Sequence, residues 1–146
     1  MSDFRTLTER FAASPQINEA DVAEARSRGF SIIINNRPEQ ESDDQTPGAD
    51  IEAAAHAAGL EYLAIPITHS GFSEAQVDAL VGALQRADGP VLAYCRSGTR
   101  STLLWALAQA RLGNDPATLA AQARNAGYDV TSVMPLMDIL FARSRA

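Results

Sequence analysis

This 146-residue chain has one cysteine, no long apolar run and fewer basic than acidic residues, and each shortage excludes a class of protein. A single cysteine cannot form a disulfide within the chain, so its thiol is either packed or kept for reactivity in a reducing compartment. No stretch approaches the ~20 apolar residues of a membrane span, and the N-terminus lacks the apolar segment of a signal peptide. The sequence therefore predicts a cytoplasmic protein with no membrane partner.

The net charge and the composition limit which partners and how many domains the chain is expected to have. Eighteen acidic against twelve basic residues give a net charge of −6, which disfavours nucleic acid as the main partner. With 46% apolar and 21% charged residues, the chain is expected to form one domain over residues 1–146 that buries roughly 70% of its unfolded surface. The acidic run at residues 39–44 lacks the glycine and terminal glutamate of a calcium loop, so we interpret it as a solvated rim and expect no metal.

Strand-like and helix-like segments alternate along the chain. Strands are predicted from short apolar runs at residues 11–14 (as an edge strand), 30–34, 62–65 and 90–94. Helices are predicted after the capping residues Asn18, Ser73 and Asp115, at residues 49–58, and from about residues 101 and 132. This alternation favours an α/β fold with a parallel or mostly parallel central sheet and helices on both faces.

The most informative stretch runs from residue 90 to residue 105, with the sequence PVLAYCRSGTRSTLLW. An apolar run too short for a helix leads directly to Cys95, and a leucine-rich segment of helical period follows Arg100. Ser97, Gly98 and Thr99 are small, so the backbone can curl with its N–H groups facing inward. A helix starting near Ser101 would add the positive end of its dipole. These features predict an anion-binding cradle formed by the N–H groups of residues 97–101.

Cys95 is the candidate nucleophile of this cradle. Inward N–H groups, a helix N-terminus and the flanking Arg96 and Arg100 favour the thiolate, which is the attacking species. Arg100 is expected to orient an anion through two hydrogen bonds, Arg96 to set the charge at the mouth, and Ser101 to donate its hydroxyl to the thiolate. The alternative, a cysteine that is only a small buried apolar residue, leaves the two arginines unexplained.

Two loops should reach the same edge of the sheet, because the carboxyl ends of parallel strands meet there. Residues 36–48 form a long polar loop that contains Arg37, which either braces the cradle or lies on the surface. The loop at residues 66–72 contains His69, which is either a proton donor or an exposed loop histidine.

The segment from Cys95 to Ser101 resembles two families of active-site loops. Its Cys-x4-Arg spacing is that of rhodanese-type sulfurtransferases. The phosphate loop of protein tyrosine and dual-specificity phosphatases is similar, but has five residues between cysteine and arginine. With residues 16–28, 34–39 and 62–66, the chain resembles small bacterial proteins of the DUF442 or beta-lactamase hydrolase-like phosphatase family, which also occur fused to metallo-β-lactamase-like persulfide dioxygenases. The resemblance implies a tyrosine-phosphatase-like fold.

Two departures from the phosphatase pattern favour sulfur chemistry. Residues 68–72 lack the aspartate with which such phosphatases protonate the leaving oxygen. The ring from Cys95 to Arg100 is one residue shorter, which should fit a phosphoryl group less well than one extra sulfur atom. We therefore expect a thiol-dependent sulfurtransferase without a cofactor. Cys95 would take sulfur from thiosulfate or from a low-molecular-weight persulfide such as glutathione persulfide, hold it as a persulfide and pass it to an external thiol or to cyanide.

The same residues are compatible with two other functions. In the first, the substrate is a phosphate ester, Cys95 forms a phosphocysteine, and His69 or a water replaces the missing acid. In the second, the protein is not an enzyme but a sensor of sulfide or oxidants, in which Cys95 is modified and a partner reads the change. All three functions use the same cysteine, and the two enzymatic ones require a small anionic sulfur or phosphate substrate.

Overall fold

The computed structural model describes residues 2–146, and its five short strands form one sheet. The strands are β1 (Arg5–Thr8), β2 (Phe11–Ser14), β3 (Ile32–Asn35), β4 (Glu61–Ala64) and β5 (Val91–Tyr94). Their order across the sheet is β1-β2-β5-β3-β4. The strands β2, β5, β3 and β4 run parallel, and β1 is antiparallel to β2. The mostly parallel sheet expected from the alternation of elements is confirmed.

Six α-helices complete the part of the chain that the structure describes. They are α1 (Glu19–Ser27), α2 (Gly48–Ala57), α3 (Glu74–Arg86), α4 (Thr99–Arg111), α5 (Pro116–Asn125) and α6 (Met134–Ser144). The predicted caps Asn18, Ser73 and Asp115 each accept a hydrogen bond from a backbone N–H of the first turn. The last helix begins later than predicted because a 3₁₀ turn, Thr131–Val133, precedes it. Within residues 2–146, no helix has the length and apolar character to cross a membrane.

The prediction of residues 11–14 as an edge strand was wrong. β2 lies between β1 and β5, and all four of its residues are buried. The edge strand is β1, which the sequence analysis missed because three of its four residues are polar and only Leu7 is buried.

The two faces of the sheet are covered by different helices. Alternate residues of a strand point to opposite faces, so Ile32 and Ile34 of β3 join one apolar cluster and Ile33 joins the other. The first cluster includes residues of α3, α4, α5 and α6, and the second includes residues of α1 and α2. Trp105 of α4 is fully buried and packs on Phe11 of β2, with ring centroids 6.2 Å apart. The β5–α4 connection is thereby fixed at the centre of the molecule.

Candidate active site

Cys95 lies immediately after the central strand β5 and is fully buried. Its backbone N–H donates to the carbonyl oxygen of Ser14 at 3.3 Å, which extends the pairing of β5 with β2 by one residue. The helix α4 starts at Thr99, two residues earlier than the sequence predicted. The connection is short because Gly98, the residue before the helix, adopts a left-handed conformation with φ of +96°. The thiol is therefore held directly beneath the N-terminus of α4.

One backbone amide points at the sulfur. The N–H of Gly98 donates to Sγ of Cys95, with an N···S distance of 3.1 Å. Arg100 and Ser101 lie in the first turn of α4, where backbone N–H groups have no partner within the helix. The positive end of the helix dipole is directed to the same place, so the loop can stabilise an anion at or bound to the sulfur.

Arg100 presents one free edge of its guanidinium. Its Nη1 donates to Oε2 of Glu41 at 2.6 Å and to the carbonyl oxygen of Ile67 at 2.9 Å, and its Nη2 donates to Oε1 of Glu41 at 2.8 Å. The hydrogen on Nε and the second hydrogen on Nη2 make no hydrogen bond to an oxygen or nitrogen atom of residues 2–146. These two donors form the fork that binds two oxygens of one anion.

The sulfur and the guanidinium also influence each other. The pKa of Arg100 is raised, chiefly by the hydrogen bond with Glu41 and additionally by the proximity of the Cys95 sulfur. Arg100 therefore stays charged and lies close enough to Cys95 to act on the same ligand.

Glu41 connects Arg100 to a second arginine. Arg37 is only 4% exposed, and it donates from Nε to Oε1 of Glu41 at 2.9 Å. Its other donors reach Oε1 of Gln16 and Oγ of Ser42, each at 3.0 Å. The Arg100 guanidinium, and secondarily Arg37, lower the pKa of Glu41 to about 2. The chain Arg37–Glu41–Arg100 thus fixes the guanidinium of Arg100 before any ligand binds.

The interpretation of residues 39–44 as a solvated rim was wrong at Glu41. Its side chain is 20% exposed and accepts three hydrogen bonds from arginines. The four-residue spacing of Arg37 and Glu41 after a buried strand does not by itself select Glu41 among the neighbouring carboxylates. Arg37 is buried against the site, and the loop at residues 36–48 reaches it through Glu41. In the part of the chain that the structure describes, no three histidine, cysteine or carboxylate side chains group as metal ligands.

Ser101 does not donate to the thiolate as predicted. Nδ2 of Asn36 donates to the carbonyl oxygen of Ile65 at 2.9 Å, which leaves Oδ1 of Asn36 as an acceptor. The hydroxyl of Ser101 donates to this oxygen at 2.8 Å, and both side chains are buried. A hydroxyl has one hydrogen, so Ser101 cannot donate to the Cys95 sulfur while it donates to Asn36. Ser101 therefore joins α4 to the loops that follow β3 and β4.

The remaining predicted residues line the mouth of the site. Arg96, Ser97 and Thr99 are exposed, and Oγ of Ser97 donates to Oγ1 of Thr99 at 3.0 Å. His69 is exposed on the loop after β4, two residues beyond Ile67, whose carbonyl binds Arg100. The sequence analysis missed Tyr128, whose hydroxyl donates to the carbonyl oxygen of Ser97 at 3.0 Å.

Comparison with known proteins shows the family to which the chain belongs. Residues 3–112 match the family model described as beta-lactamase hydrolase-like protein, phosphatase-like domain. The chain belongs to this family. A beta-lactamase hydrolase-like protein of Xylella fastidiosa is 40% identical over 104 residues, which are 70% of this chain and 24% of the relative. The chain therefore matches about a quarter of that relative's length.

Solved structures of similar proteins share the fold. A candidate phosphatase from Neisseria meningitidis is 30% identical, with a TM-score of 0.82 over 96% of this chain and 99% of that one. P. aeruginosa TpbA, solved in complex with pTyr, is 18% identical, with a TM-score of 0.69 over 98% and 90% of the two chains. The tyrosine-phosphatase-like fold is confirmed. These relatives support the phosphatase alternative better than the sulfurtransferase expected from the loop.

The ion-pair chain of this phosphatase-like domain should make stability depend on acid pH. The pKa of Glu41 is about 2 in the folded chain against an ordinary value of 4.5, so only the unfolded chain takes up a proton as the pH falls below about 4.5. Stability from Glu41 is therefore present above about pH 4.5 and lost as the pH falls towards 2. Glu41→Gln should lower the free energy of unfolding by about 1–3 kcal/mol at neutral pH, and the deficit should shrink in acid.

Urea unfolding of both proteins at several pH values measures this deficit. Glu52→Gln removes an exposed carboxylate from α2 and is the matched control. A deficit for Glu41→Gln that is the same at neutral and acid pH would contradict the assignment.

Proposed function

We propose that this protein is a cysteine-dependent phosphatase that hydrolyses phosphate monoesters through a phosphocysteine at Cys95. The observation that carries the proposal is one buried sulfur that accepts the Gly98 N–H and lies beside the Arg100 guanidinium, which keeps two donors not taken up by Glu41 or Ile67. A phosphoryl group bonded to that sulfur would have negatively charged oxygens facing these donors. Family membership and the phosphatase neighbours support the same reaction class.

In the first step, the thiolate of Cys95 attacks phosphorus. The S–P bond forms, the P–O bond to the leaving group breaks, and the leaving oxygen takes a proton. Nε and Nη2 of Arg100 bind two of the non-bridging oxygens, and the N-terminal amides of α4 stabilise the charge on the transferring group. Glu41 holds Arg100 in place beforehand, so little reorganisation is needed at the moment of reaction.

In the second step, a water molecule attacks the phosphocysteine. The new O–P bond forms, the S–P bond breaks, inorganic phosphate leaves, and the thiolate is restored. The water gives up one proton, so that both steps together consume one water per ester. The reaction as written needs no external thiol, because the sulfur of Cys95 is regenerated by hydrolysis.

His69 donates the proton to the leaving oxygen in this mechanism. Residues 66–73 contain no carboxylate, and His69 is the side chain among them that can carry a proton near neutral pH. An aryl oxide such as p-nitrophenolate leaves without a proton, whereas an alkoxide does not.

Substitution of His69 should therefore affect poor leaving groups selectively. His69→Ala should lower kcat for an alkyl phosphate by about 100-fold and change kcat for p-nitrophenyl phosphate by less than about threefold. Steady-state kinetics with both substrates, and with His56→Ala as the matched histidine control, test this expectation. An equal loss with both substrates would remove His69 from the proton transfer.

Sulfur transfer is a second candidate, favoured by the four residues between Cys95 and Arg100 and by the lack of a carboxylate in the loop at residues 66–73. The thiolate would attack the outer sulfur of thiosulfate, so that a new S–S bond forms and sulfite leaves with the electrons of the broken one. An external thiolate or cyanide would then take the outer sulfur from the persulfide. The acceptor must be external because the chain has one cysteine.

Parallel assays of the same protein separate the two candidates. One assay measures phosphate release from p-nitrophenyl phosphate, and the other measures thiocyanate formation from thiosulfate and cyanide. The proposal expects phosphate release that is abolished in Cys95→Ser, and no thiocyanate above the uncatalysed rate. Thiocyanate formation without phosphate release would overturn the phosphatase proposal in favour of sulfur transfer.

A further inference from the structure

Tyr128 reaches the active-site loop from a distant part of the chain. It follows α5 and lies beyond residues 3–112, the part that matches the family model. Its side chain is 6% exposed, and its hydroxyl donates to the carbonyl oxygen of Ser97 at 3.0 Å. The guanidinium of Arg5, from the edge strand β1, lies 5.1 Å from the centre of its ring. The ring is thus held by the core on one side and by a cation on the other.

The bond to Ser97 determines where an amide of the cradle points. The carbonyl of Ser97 and the N–H of Gly98 belong to one planar trans peptide, so they point in opposite directions. The hydroxyl of Tyr128 holds the carbonyl on one side, and the N–H on the other side donates to Sγ of Cys95 at 3.1 Å. If the peptide rotated, a carbonyl oxygen would face the thiolate in place of an N–H.

We propose that Tyr128 is a positioning residue, whose hydroxyl holds the Ser97–Gly98 peptide in the orientation that aims the Gly98 N–H at Cys95. The hydrogen bond also polarises the peptide, which strengthens the N–H as a donor. Under the phosphatase mechanism proposed above, on which the kinetic part of this inference rests, the same N–H stabilises the sulfur when it leaves phosphorus.

The packing around Gly98 supports a fixed contact. A Cβ atom at this position would collide with the hydroxyl oxygen of Tyr128, so the phenol occupies the space that the missing side chain leaves. The left-handed φ of Gly98 gives a second reason for glycine here. Burial raises the pKa of Tyr128, so its hydroxyl keeps the proton that it donates to Ser97 over the neutral range.

Alkylation by iodoacetamide tests the inference without using phosphatase activity. Because the chain has one cysteine, all thiol alkylation reports on Cys95. Tyr128→Phe keeps the ring and removes the hydroxyl. It should slow alkylation at about pH 6 by about fivefold, since a lost hydrogen bond makes the thiolate scarcer. At about pH 10 the rates of wild type and variant should converge, because thiolate predominates in both.

A matched control and a kinetic readout complete the experiment. Tyr62→Phe removes a tyrosine hydroxyl outside the loop, which accepts a hydrogen bond from Asn35 at 3.0 Å, and alkylation of this variant should equal that of wild type at every pH. With p-nitrophenyl phosphate, Tyr128→Phe should lower kcat by about tenfold and leave KM within about twofold. Thermal unfolding of both variants checks that the fold is retained.

The outcomes separate this inference from the proposed function. Equal alkylation of wild type and Tyr128→Phe at all pH values would overturn the inference, and so would a slowing by the same factor at every pH, which indicates altered access. A slowing confined to lower pH supports it. If that slowing occurs and the wild type hydrolyses no phosphate ester, the positioning role of Tyr128 stands and the phosphatase proposal fails.

Discussion

Replacing Cys95 by serine is expected to lower kcat for p-nitrophenyl phosphate by at least about 10⁴-fold, because the hydroxyl is a far weaker nucleophile at neutral pH than a thiolate. The side chain is fully buried, and serine differs from cysteine by one atom, so the surrounding contacts should remain. The fork of Arg100 does not depend on the sulfur. Cys95→Ser should therefore still bind inorganic phosphate, which isothermal titration calorimetry can measure.

The loss of turnover with retained binding is the signature of a nucleophile. Comparison with Cys95→Ala checks that serine contributes no slow attack of its own. If Cys95→Ser kept more than about a tenth of the wild-type kcat, attack by the sulfur could not be the route of the reaction.

The second large effect is expected for Arg100→Lys, which should lower kcat/KM by about 10³-fold. Lysine keeps the charge but has no planar fork. It cannot bind Glu41 with two donors while offering two others to the substrate. The loss should appear mainly in kcat if the fork binds the transferring phosphoryl group more tightly than the bound ester.

Arg111→Lys is the matched control for this substitution. Arg111 ends the same helix α4 and pairs with Asp78 at the surface, away from the loop. Steady-state kinetics of the two variants show whether loss of a guanidinium at the site lowers activity more than loss of a guanidinium at the surface. Equal activity of Arg100→Lys and Arg111→Lys would remove Arg100 from the reaction.

Local sequence signals predicted much of this fold. The capping residues Asn18 and Ser73, each with a partner three residues later, fix helix starts through hydrogen bonds to nearby backbone. The buried strand before Cys95 and the small residues after it predicted the strand, loop and helix of the site. These features could be predicted because each depends on residues only a few positions apart.

The contacts that complete the site depend on residues far apart in the chain. Glu41 and Arg100 are 59 positions apart, and Tyr128 and Ser97 are 31 positions apart. No local pattern distinguishes Glu41 from the exposed acidic residues around it. Likewise, the hydroxyl of Ser101 could be assigned only when the orientation of Asn36 was known. From the sequence, Arg37 could be predicted to support the cradle, but the carboxylate that joins it to Arg100 could not be predicted.

Loop length was the weakest part of the functional prediction. Counting four residues between Cys95 and Arg100 treated the ring as backbone alone. In the structure, α4 begins at Thr99, and the guanidinium of Arg100 is positioned by Glu41 and the carbonyl of Ile67. The space available to a bound group therefore depends on these side-chain anchors as well as on the number of residues in the loop.

The most direct test of the account is mass spectrometry of the intact protein, quenched in acid during turnover of p-nitrophenyl phosphate. The mass of the intact protein should increase by one phosphoryl group, and Cys95→Ser should show no such increase. A parallel sample with thiosulfate should gain nothing. An added sulfur atom in that sample, with no phosphoryl adduct and no ester hydrolysis in the first, would contradict the account.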